Sequence, residues 1–175
     1  MVFSAAFFRR ENFEAAYWFL DHVWPIISKS RPDARVRFAG ARPPAELLRR
    51  ADERVEVTGF LNQITDGYVD GLLAIAPLRR GAGLKFKVVQ ALAMGFPIVG
   101  TSVAMEGLDD VLGRSVSVFD SAEAFAGEVL RILDSPMVVI EEAAREVPVV
   151  RERIDFGVRM RELSADFEGL AGAQS

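Results

Sequence analysis

Short apolar runs alternate with longer amphipathic stretches along the whole chain. The runs at 1–6, 35–40, 55–59, 72–77, 97–101 and 115–119 each have the length of a strand. Several are continuously apolar, such as Leu72 through Pro77, which suits strands buried on both faces of a parallel sheet. Between them lie helical patterns. Asn12 is placed to cap a helix carrying Phe13, Ala16, Tyr17, Leu20, Val23, Trp24 and Ile27 on one side, with Pro25 kinking or restarting it. A helical turn at 66–70 and a strong helix at 84–94, stopped by Gly95 and Pro97, come next. After Phe119 the chain is helical: 121–133 closed by Pro136, then 137–146, then 153–170. This succession predicts one α/β domain over 1–175. It would be doubly wound, with about six parallel strands, helices on both faces and helices at the C-terminus. In such sheets ligands sit beyond the carboxyl ends of the strands, in the loops after Ala6, Gly40, Gly59, Pro77 and Thr101.

Composition narrows the chemistry. The 175 residues are 50% hydrophobic and 26% charged, enough for a packed core. Without cysteine there are no disulfides, no thiolate nucleophile and no cysteine-bound metal. His22 is the one histidine, so no zinc cluster is expected, and beside Asp21 it reads as a packing or surface residue. The net charge of −4 argues against nucleic acid as a partner. No apolar run approaches the roughly 20 residues of a membrane span, although peripheral contact with a membrane remains compatible. The N-terminal charges follow rather than precede the apolar run, unlike a secretory signal, so a cytoplasmic location is expected.

The densest chemistry lies between Pro77 and Thr101, a strand, glycine loop, helix, turn and strand. Gly81 and Gly83 let a ligand approach the backbone where a helix begins, and Arg79, Arg80, Lys85 and Lys87 add positive charge. This suits a phosphate or diphosphate, although glycines that merely make a turn and a solvated basic face would read the same way. The spacing fits neither the P-loop nor the dinucleotide fingerprint, whose third glycine falls on Phe86. Lys85 and Lys87, two apart on a helix, are expected to face apart.

Together with Phe3, Glu11-Asn12, Trp18 through Pro25, Gly40, Gly59 and Glu106-Gly107-Leu108, this segment resembles the C-terminal half of GT-B glycosyltransferases of the family 4, or group 1, type. The resemblance runs from the first strand to the terminal helices. It implies a Rossmann-like domain that holds a nucleotide-sugar donor, with no metal or other cofactor, for a retaining transfer. Carried over by position, Arg79, Arg80, Gly81, Gly83, Lys85, Lys87 and Gln90 would bind the donor and its diphosphate, Gln90 at a ribose hydroxyl. Thr101, Ser102, Glu106 and Gly107 would approach the sugar or distal phosphate, and the catalytic residue stays unassigned. It further implies an N-terminal acceptor domain outside this sequence, and an isolated chain without activity. Loops 40–44 and 59–63 would choose the base.

The departures are specific. The family commonly carries two glutamates eight positions apart; Ala82 and Gln90 stand there. Ala82 cannot bond a sugar hydroxyl, and Gln90 accepts without charge. The loop after the first strand has Ser4-Ala5-Ala6 in place of a glycine. These losses support the alternative of a non-catalytic interaction module with a degenerate site. Phe7 and Phe8 stand in a loop at the ligand end, where one could stack on a base. The acidic pairs Asp109-Asp110 and Glu141-Glu142 read as solvated surface, and Phe156, Met160, Leu163 and Phe167 as an interface with the absent domain.

Overall fold

The structure is a computed structural model that describes residues 1–108 and 113–153. Each apolar run becomes a short strand: β1 Val2–Ser4, β2 Val36–Ala39, β3 Val55–Gly59, β4 Ala74–Ala76, β5 Ile98–Gly100 and β6 Val116–Val118. All pair in parallel, in the order β3-β2-β1-β4-β5-β6. β1 is the centre from which the chain winds outward both ways, so the sheet is a Rossmann-like, doubly wound one. The central strands β1, β4 and β5 are buried throughout, which is why their sequences are apolar without alternation.

The helices cover this sheet in two groups. α1 Arg10–Trp18, a π-helical turn at Phe19–Val23 and α2 Trp24–Ser30 pack with α6 Ala122–Asp134. α4 Phe86–Ala93 packs with α7 Pro136–Arg153. On the first side, Phe3, Phe38, Phe19 and Phe125 meet edge to face with centroids 6.2–6.3 Å apart, joining β1, β2, the π turn and α6. Ser4, next along β1, turns the other way and hydrogen-bonds Tyr68, whose burial pushes its phenol up to about 12.

The structure corrects several local expectations. α1 begins at Arg10, so Asn12 lies inside its first turn and caps nothing. Pro25 restarts the helix as expected, at the first turn of α2 after the π turn. Pro136 opens α7 rather than closing α6, because its missing N–H costs nothing at a helix start. α7 then runs unbroken through Pro148 to Arg153, where the sequence pattern suggests a division after 146. Two short helices, α3 Ala45–Arg49 and α5 Ser102–Met105, carry no periodic signal. The pair 109–110 and the apolar positions 156, 160, 163 and 167 lie outside the described residues.

Two tertiary ties fasten loops to the sheet. Gly40, at φ +148°, lies so close to the end of β1 that a Cβ would sit 1.8 Å from the Ala5 carbonyl oxygen. At the far edge, Glu146 of α7 accepts the Arg114 N–H (2.6 Å) and the Ser115 N–H (3.4 Å) and hydroxyl just before β6.

Candidate functional site: the cleft at the sheet's switch point

Because β2 and β4 flank β1 but belong to opposite windings, the loops leaving β1 and β4 part from one another. Between them opens a cleft of about 520 Å³. Ser4, Ala5, Ala6, Arg9, Glu11 and Asn12 form its β1 side, and Leu78, Gly81, Ala82, Leu84, Lys85, Phe86, Lys87 and Gln90 its β4–α4 side. A second hollow, about 560 Å³, lies at the opposite ends of β1–β3. Its charges neutralise each other, as in Arg37–Glu56 at 2.6 Å, and no helix starts on it. The first is therefore the candidate site.

The glycine loop is built to reach this cleft. Gly81 and Gly83 take φ +120° and +76°, which lets the chain double back before α4. No side chain caps α4; Val88 donates its N–H to the Lys85 carbonyl at 2.9 Å, which leaves the N–H groups of Phe86 and Lys87 to a ligand. Lys85 is the N-cap residue, with φ −97° and ψ 92°, and Lys87 is in the first turn. Their two-residue spacing therefore does not turn them apart. Lys85 is not yet helical, and both line the same cleft, contrary to the expectation for a continuous helix.

The surrounding cations are held in different ways. Lys85 is only 8% exposed; its ammonium donates to the carbonyls of Gly81 (3.2 Å) and Gly83 and lies 3.5 Å from Glu106. Arg80 points to Glu14 at 2.9 Å. Arg79 donates to the Asp120 carbonyl at 2.7 Å with its guanidinium 4.7 Å over Trp18, turned from the cleft towards the end of β6. Lys87 donates to Asn12 Oδ1 and stands 5.3 Å over the Phe3 ring. Burial, helped by the charges of Arg9 and Lys85 and opposed by the carboxylate of Glu11, lowers its ammonium to about 8.

The loop after β5 is more structural than expected. Thr101 is completely buried; its hydroxyl donates to the Leu78 carbonyl and accepts the Ala104 N–H at 3.3 Å as the N-cap of α5. Ser102 donates both its N–H and its hydroxyl to Asp120 at 3.0 Å. Glu106 joins the site through Lys85, beside Gly107 at φ +76°. Gln90 is half-buried on the cleft wall, and Ala82 is exposed on it. Phe7 belongs to the core, against Phe3 and Phe38, whereas Phe8 is half exposed under Arg42. Sequence reading misses Arg9 and Ile64 as cleft residues, since neither belongs to a spaced motif.

Comparison with known proteins agrees with this fold. The family described as Glycosyl transferases group 1 matches residues 1–135. A curated relative, an uncharacterized 44.6 kDa protein in the cps region of Klebsiella pneumoniae, is 23% identical over 164 residues, covering 89% of this chain and 42% of that protein. Among solved structures, TarM superposes with a TM-score of 0.72 at 9% identity, over 94% of this chain and 34% of TarM. Anabaena HepE, solved in complex with UDP and glucose, gives 0.67 at 11% identity, over 95% of this chain and 48% of HepE. The sucrose-phosphate synthase of Thermosynechococcus elongatus gives 0.61 at 16% identity, over 94% and 45%. These likenesses establish a shared fold, and the chain spans less than half the length of each of these proteins. On its sequence match over most of its length, the chain belongs to the group 1 glycosyl transferase family.

Proposed function

We propose that this chain is the half of a retaining glycosyltransferase that binds the nucleoside-diphosphate sugar. The observation that carries this reading is the convergence of Lys85, Lys87 and the open N-terminus of α4 on one cleft at the switch point. The three cations lining it, Arg9, Lys85 and Lys87, outnumber its carboxylate, Glu11, which suits a diphosphate in sign. When the sugar leaves for an acceptor hydroxyl, charge builds on the departing diphosphate, and fixed cations and helix N–H groups stabilise it. In this reading no metal is required, and a second domain brings the acceptor. That HepE was solved with UDP and glucose supports the donor class.

Thermal unfolding with UDP, GDP, ADP, CMP and NADH in parallel tests it. A nucleotide at ten times its Kd stabilises by about 1.4 kcal/mol, which raises Tm by roughly 3–5 °C. The expected result is a shift with one nucleoside diphosphate that Lys85→Ala abolishes. No shift with any of them would favour an interaction module, consistent with Ala82 and Gln90 on the cleft wall.

A further inference from the structure

The cations near the cleft differ in what opposes them. Arg80 faces Glu14, Arg9 lies 3.9 Å from Glu11 and Lys85 faces Glu106, so a carboxylate already answers each charge. Arg79 turns away to a carbonyl and the Trp18 ring. Lys87 is held within the cleft by a neutral group, the side-chain amide of Asn12. Asn12 is 3% exposed and fixed at its other end: its Nδ2 donates 2.8 Å to the Ala6 carbonyl in the β1–α1 loop. That bond decides the orientation of the amide, because only the NH₂ can face a carbonyl, which leaves the oxygen for the ammonium.

Resting on the donor-binding reading, we propose that Asn12 is a positioning residue: anchored on Ala6, it aims the Lys87 ammonium into the cleft without neutralising it, so that Lys87 is the cation there kept free for the diphosphate. A carboxylate in the place of Asn12 would hold the lysine more firmly but would offset its charge, as Glu106 does in part for Lys85. An amide gives direction alone. The groups facing Lys87 are Glu11 from α1, Arg9 from the β1–α1 loop and Lys85 from the start of α4. Beneath it, Ser4 and Tyr68 line the adjoining small cavity, with the phenol neutral at ordinary pH.

The test is a cycle of Asn12→Ala, Lys87→Ala and the double variant, with UDP and inorganic pyrophosphate as probes by calorimetry. Folding of each variant is checked by its melting curve. In parallel, NMR follows the titration of the Lys87 ε-methylene without ligand. Each single variant should bind UDP about tenfold more weakly, and the double no more weakly than Lys87→Ala. Wild-type affinity should bend downward above about pH 8, and Lys87→Ala should lose that bend. In Asn12→Ala the ε-methylene midpoint should rise towards the ordinary lysine range as the ammonium swings into water. The proposal is overturned if Asn12→Ala leaves that midpoint in place. It also falls if the cost of Asn12→Ala is undiminished in the Lys87→Ala background. If the midpoint moves while neither UDP nor pyrophosphate binds any form of the chain, the donor reading falls and the Asn12–Lys87 arrangement stands.

Discussion

Lys87 carries two opposed consequences of one burial. Its folded pKa of about 8 lies well below the ordinary value of 10.5, so the folded state releases a proton that the unfolded chain still holds between those values. Below about pH 8 the protein bears the full cost of a desolvated ammonium, and stability rises as pH climbs through that window. Lys87→Met should therefore raise Tm at pH 7 by a few degrees, for a gain of roughly 1 kcal/mol or more, and most of the gain should be gone by about pH 10. Melting curves at pH 7 and pH 10 for both proteins check this; an unchanged or lowered Tm at pH 7 would contradict the account. Lys85 and Lys87 are legible in the sequence because a glycine loop running into a helix has a recognisable spacing. The job of Asn12 is not. Asn12 stands 75 positions from Lys87, and only the pairing of β1 with β4 brings them together.

At the scale of the element, legibility follows burial and length. The central strands β1, β4 and β5 are readable because a strand buried on both faces must be largely apolar. α3 and α5 are not: at five and four residues they are too short to show a period, and Thr101 caps α5 with the same hydroxyl that reads as a ligand donor in sequence. The loops at the cleft rest on backbone approaches that spacing does not reveal. Gly40 is the tightest of these. Gly40→Ala would drive a methyl into the Ala5 carbonyl at the cleft wall and should cost roughly 3 kcal/mol. Gly83→Ala meets no atom within 4 Å and should cost only about 1 kcal/mol, from its left-handed backbone. Denaturant unfolding of the two variants measures the difference; equal losses would mean that the β1–β2 approach is not limiting.

Across the whole molecule, a −4 chain leaves an excess of cations over carboxylates on one cleft, while in the other hollow carboxylates offset the arginines. Topology rather than composition produces that division, since it gathers the loops of β1 and β4 at one end. Anion binding there should weaken with added salt, through screening of Arg9, Lys85 and Lys87. The sheet's far edge has a different dependence. The family match stops at residue 135, yet Glu146 holds the amides that lead into β6. The segment by which kinship is recognised therefore stops short of the residue that fastens β6. A chain cut after Ser135 should keep β1–β5 while β6 frays, with amide exchange at Arg114 and Ser115 accelerating, and Glu146→Ala in the uncut chain should reproduce the same local opening. Where such a domain is trimmed for transplantation between enzymes, the boundary belongs beyond the carboxylate that fastens its last strand.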